Sequence, residues 1–82
     1  MQEERFEKLL YEVILNIENE EECKTFFEGI CTPKEIKAMA QRLAVAKMLN
    51  DKNVYDKIVK ETGASTATVS RVSRATLPAV KD

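Results

Sequence analysis

The stretch "GASTATVSR", residues 63–71, decides how the rest of the chain is read. It is built almost wholly of small residues, with one charge at its end, in a sequence that is 33% charged. Small side chains add little to a core and fill a helix surface poorly. They suit a helix that must press closely against something large. Gly63 is the residue type that tolerates a left-handed conformation at a helix C-terminus, and Ser65 is a good N-cap for a following helix. Two short helices are therefore predicted, over residues 53–62 and 66–77, separated by Gly63, Ala64 and Ser65. Pro78 forbids the second from continuing. This is the spacing of a helix-turn-helix.

At about 100° per residue, Val69, Val72 and Thr76 project to one side of the second helix. Ala67, Ser70, Arg71 and Arg74 project to the other. On the preceding helix Val54, Tyr55, Ile58, Val59 and Thr62 read as inward, and Lys57 and Lys60 as outward. A small, hydroxylated and basic face fits a helix that enters a major groove. It puts no bulk near base edges, offers short donors and acceptors, and carries arginines for phosphate or guanine.

Upstream, three further helices are predicted and no strand pattern competes. Over residues 3–17, Phe6, Leu9, Leu10, Val13, Ile14 and Ile17 recur at three- and four-residue spacing, which lines one face. Asn19 followed by Glu22 forms a cap pair for a helix to about residue 29, with Cys23, Phe26, Phe27 and Ile30 as its apolar members. Thr32, Pro33 and Glu35 supply an N-cap, a proline at the first helical position and a capping-box acid. That helix is expected to reach about Leu49. Ile36, Met39, Ala40, Leu43 and Ala46 share one face, while Val45, Met48 and Leu49 fall opposite. A helix apolar on two sides is sandwiched, and in so short a chain part of its cover is expected from a second copy.

Composition bounds the rest. Eighty-two residues make one small domain of marginal stability. No run approaches the roughly 18 apolar residues of a membrane helix, and the start "MQEERFEKLL" is too acidic for a signal peptide. Cys23 and Cys31 read as reduced thiols, and a cytoplasmic location is expected. The chain contains no histidine, and it has no Gly-rich phosphate loop or nucleophile motif. No catalytic residue, metal or cofactor is therefore assigned. Residues 1–31 hold nine acidic and three basic side chains, a net of −6; residues 32–82 hold ten basic and five acidic, a net of +5. The first part, 1–31, reads as acidic dimerisation helices, 32–50 as a central helix and 53–77 as the basic helix-turn-helix.

The segments "TPKEIKAMAQRLAVAKML" and "GASTATVSRVSRATL" resemble the tryptophan repressor superfamily, in particular its small YerC/YecD-type relatives. The likeness covers residues 32–77 with motifs in the same order. It implies an all-helical, intertwined homodimer of about five to six helices per chain, with paired helix-turn-helix units meeting successive major grooves. It implies backbone contacts for Lys57 and Lys60 and base-edge positions for Thr66, Ala67 and Ser70. It also implies an effector pocket between the third helix and the recognition helix, with Arg42 and Arg71 holding a flat ring and Thr32 at the rim. Here Val72 stands where the repressor has glycine, and Ala75 where it has serine. The pocket is thus expected to be vestigial and tryptophan not to act as co-repressor. The chain is accordingly identified as a sequence-specific, double-stranded-DNA-binding repressor that works as a cytoplasmic homodimer without membrane or small-molecule effector. The alternative reading is a dimeric module that contacts another protein and leaves DNA alone.

Overall fold

The computed structural model describes residues 2–81, which form five α-helices and no strand. They fall into two compact units that meet in sequence between Thr32 and Pro33.

The first unit holds α1 (Gln2–Leu15) and α2 (Glu20–Ile30). Acidic residues open both helices, Glu3 and Glu4 in one and Glu20, Glu21 and Glu22 in the other, where negative charge meets the positive end of the helix dipole. The first helix is shorter than the apolar period suggests. Asn16 and Ile17 bond back only three residues, to the carbonyls of Val13 and Ile14, so its last turn tightens and Ile17 leaves the helix. Asn19 caps α2 as expected, its Oδ1 accepting from the Glu22 amide at 2.8 Å. The reciprocal bond is displaced by one residue: the Glu18 amide, and not that of Asn19, donates to Glu22 Oε1 at 3.4 Å. Phe26 and Phe27 meet edge to face at 5.1 Å, and Cys23 and Cys31 are half-buried free thiols. Neither helix buries a residue fully. Phe6 is 65% exposed, Leu9 57% and Leu15 83%.

The second unit holds α3 (Pro33–Asn50), α4 (Tyr55–Thr62) and α5 (Thr66–Ser73), each packed on the other two. Val45, Ile58 and Val69, one from each helix, are completely buried, and Ala64 from the turn completes the cluster. Met48, Leu49, Val59 and Val72 pack around it. The apolar residues of α3 are indeed spread around its axis. The Val45 side meets the core, whereas Leu43 remains 54% exposed.

Three expectations are corrected. The fourth helix begins at Tyr55, not near Asn53, because the Asn53 side chain turns back and donates to the Met48 carbonyl at 2.9 Å. Val54 and Tyr55 are exposed, so the inward face of α4 starts only at Ile58. The fifth helix ends at Ser73, well before Pro78, and Thr76 lies beyond it and is exposed.

Both connections within the α3–α5 run use a left-handed residue. Gly63 stands at φ 73°, its amide donating to the Val59 carbonyl. At the end of α3 the same conformation falls on a lysine, Lys52 at φ 68°, and the amides of Lys52 and Asn53 return to the Leu49 and Met48 carbonyls. This is a Schellman closure without its usual glycine. A side chain in that conformation costs about 1–2 kcal/mol, partly offset for glycine by the greater freedom of its unfolded chain. Lys52→Gly is therefore expected to stabilise the protein by about 0.5 kcal/mol and Gly63→Ala to destabilise it by about 1 kcal/mol. Urea denaturation at fixed chain concentration reads both, and a loss of stability in Lys52→Gly would refute the closure.

Candidate nucleic-acid interface

The turn between α4 and α5 is fixed from three directions. Thr62 Oγ1 donates to the Ile58 carbonyl at 2.7 Å and accepts from the Ala64 amide at 3.1 Å. Gln41, 21 residues upstream on α3, donates to the Thr62 carbonyl at 3.1 Å and so satisfies a carbonyl that the helix end leaves free. Ser65 caps α5, its Oγ accepting from the Thr68 amide at 3.1 Å, and shares a second bond with the Thr68 hydroxyl. Ala64 is nearly fully buried beneath. The angle between the two helices is thus set by the buried Ala64, the part-buried Gln41 and Thr62, and the Ser65 cap.

This frame leaves Thr66, Ala67, Arg71 and Arg74 exposed on α5, with Ser70 half-buried among them. Lys57 and Lys60 are exposed on α4. Lys57 lies 3.8 Å from Glu61 with both side chains more than half exposed, a pairing of little energetic weight. Arg74 reaches back one turn, Nη1 donating to Ser70 Oγ at 2.8 Å.

A cleft of about 930 Å³ opens between α3 and α5. It brings together Arg42, Arg71, Val72 and Ala75, all anticipated as pocket residues, with Arg74 and Ala67 beside them. Thr32 belongs to the first unit and is not one of the walls. Sequence reasoning missed Leu77, Thr68 and the cleft-facing role of Met39 and Leu43. It also missed Gln41, whose partner is remote in sequence and so leaves no local signal. Three arginines border the cleft, and among the described residues no acidic one lines it. Seven of its ten lining residues are exposed, so it is a trough and not an enclosed chamber. Val72 forms part of the wall, packed on the core, without closing the space.

An all-helical unit with a tightly locked turn and a basic, small-residue outer helix defines a Trp-repressor-like protein. The chain belongs to the Trp repressor protein family, whose pattern matches residues 6–79. It is 55% identical over 65 residues to the uncharacterized protein YerC of Bacillus subtilis (strain 168), covering 79% of this chain and 62% of that one. The chain thus spans less than two thirds of that relative's length. Among solved structures it resembles a TrpR-like protein from Eubacterium eligens ATCC 27750, with 46% identity and a TM-score of 0.77 over 82% of this chain and 69% of that one. It also resembles a candidate Trp repressor from Staphylococcus aureus, with 47% identity and a TM-score of 0.78 over 90% and 78% of the two chains. The five helices, with no strand among the described residues, match the fold of those two solved structures.

A flat ring laid in this cleft would meet the Val72 side chain and find no hydroxyl at Ala75. Millimolar L-tryptophan is therefore expected to give no saturable heat by calorimetry. Val72→Gly opens that space, yet it loses half-buried packing and puts glycine inside a helix, a combined cost of roughly 2 kcal/mol. A saturable tryptophan heat from the unmodified protein would show that the valine is accommodated.

Proposed function

We propose that the chain is a sequence-specific DNA-binding transcriptional regulator, a repressor that acts as a homodimer through α4, the turn and α5. The observation that carries this reading is the pairing of a rigid turn with an outer α5 face of Thr66, Ala67, Ser70, Arg71 and Arg74. Thr66, Ala67 and Ser70 are small, so a groove floor can approach the helix backbone between the two arginines. Lys57 and Lys60 on α4 supply phosphate contacts that hold the register, as does Arg71, while Thr66, Ala67 and Ser70 read base edges. The net charge of +5 over residues 32–82 favours a polyanion, and the family is one of regulators and not of enzymes. Val69 anchors α5 to α3 and α4 through the core, and this reading gives no cofactor or tryptophan a part in the mechanism.

The homodimer rests on unspent apolar surface. Phe6, Leu9, Leu10, Tyr11 and Leu15 of α1 and Ile30 of α2 are exposed, as is Leu43 on the second side of α3. Lone surface leucines are ordinary, but a whole amphipathic helix with no buried residue is an interface waiting for cover. A second copy supplies it with matching chemistry.

Sedimentation at low micromolar concentration is expected to give about twice the mass of one chain, and a folded monomer there would sink the dimer. Titration of labelled duplex between 50 and 200 mM salt is expected to show log K falling linearly with log salt, with a slope near −0.9 per phosphate neutralised. A dimer that binds no duplex at low salt would instead be the protein-contacting module.

A further inference from the structure

The pair Ser70 and Arg74 is tied together on the face of α5 in a way that fixes what it offers a base. Arg74 Nη1 donates to Ser70 Oγ at 2.8 Å. No carboxylate pairs with Arg74 among the described residues, so the remaining guanidinium N–H groups stay available. The Ser70 hydroxyl proton is equally uncommitted. Two other helical hydroxyls donate back to the backbone, Thr62 to the Ile58 carbonyl and Ser73 to the Ser70 carbonyl. Ser70 Oγ makes no such bond among the described residues, and accepting from a guanidinium leaves its proton free for an outside acceptor.

We infer that Ser70 and Arg74 act as one donor-rich reading element that selects guanine at one position of each half-site. The inference rests on the DNA-binding reading above and deepens it, because it assigns Arg74 a contact at the base edge. A serine hydroxyl alone is indiscriminate, since it both donates and accepts. With one of its two oxygen lone pairs engaged by a guanidinium, which has no acceptor, the pair presents the O–H of Ser70 and the N–H groups of Arg74 against a single remaining lone pair. Guanine shows two adjacent acceptors in the major groove, N7 and O6. Adenine sets its N6 donor beside N7, cytosine shows a donor, and thymine pairs a single acceptor with a methyl group. Only guanine satisfies two neighbouring donors.

The test is selection of the full chain against a random duplex library, followed by affinity measurements on the selected duplex. Selection with the unmodified protein should return a guanine at a fixed place in each half-site. Replacing that guanine by 7-deazaguanine, or by adenine, should weaken binding about tenfold. Ser70→Ala and Arg74→Ala should each abolish the preference, and the double variant should lose no more than either alone. Ser70→Thr, which keeps the hydroxyl, should restore it, and thermal melting should be unchanged throughout. If Arg74→Ala weakens all duplexes equally, lowers the salt slope by about one and leaves the guanine selected, Arg74 is a phosphate contact and the pair is refuted while the regulator reading stands. If the unmodified protein selects no sequence, the regulator reading itself falls and takes the pair with it.

Discussion

Everything in the second unit hangs on three side chains that meet with no solvent exposure: Val45, Ile58 and Val69. Each comes from a different helix, and two of those helices have only eight residues. A free helix of that length is unstable in water, so α4 and α5 exist because this contact holds them. Burying a valine or isoleucine contributes about 1.5–3 kcal/mol, which is large against the total stability of a small domain. Ala64 closes the cluster from the turn. The residue there must be small, since a larger one would drive α5 off α3 and move every exposed residue on the outer face.

The same core explains what was legible in the sequence. Local punctuation could be read directly: Asn19 and Ser65 as caps, Pro33 as a helix start, and Gly63 as a left-handed stop. These act within four residues, so the signal and the structure are adjacent. Errors arose where two local rules competed. Asn53 has the chemistry of an N-cap, but its side chain closes the preceding helix and leaves Val54 to begin α4 without a cap. Pro78 marks where helix is impossible, whereas α5 stops five residues earlier because nothing past Val72 reaches the core. Lys52 gave no warning, since lysine is not the residue one expects at φ 68°.

The site was legible in its residue types and less so in its arrangement. Periodicity put Ala67, Ser70, Arg71 and Arg74 on one face and Val69 and Val72 on the other, and their burial agrees. It could not reveal that Arg71 and Arg74 also border a cleft with Arg42, because that depends on how α3 crosses α5. Nor could it reveal that the tail returns to α3, where Asn50 donates to the Val80 carbonyl and Lys47 to that of Lys81. Such contacts span some thirty residues and follow from packing, not from spacing.

The small residues of the 63–71 stretch therefore have two separate causes. Ala64 is small because it is enclosed, and Val69 is limited to a valine by the space between α3 and α4. Ala67 is small for no reason inside the molecule, since it is exposed and lines an open trough. Stability alone would tolerate a larger residue at that position, and a longer side chain there would even shield the apolar floor formed by Met39 and Leu43. Exposed helix positions without a role usually carry glutamate, lysine or another long side chain that solvates the surface. A face that keeps alanine, serine and threonine in that place is thin on the outside as well as the inside. A helix thin on both sides is what close approach by a second large body requires, and with arginines at its end and no acid along it, that body is best matched by a nucleic acid.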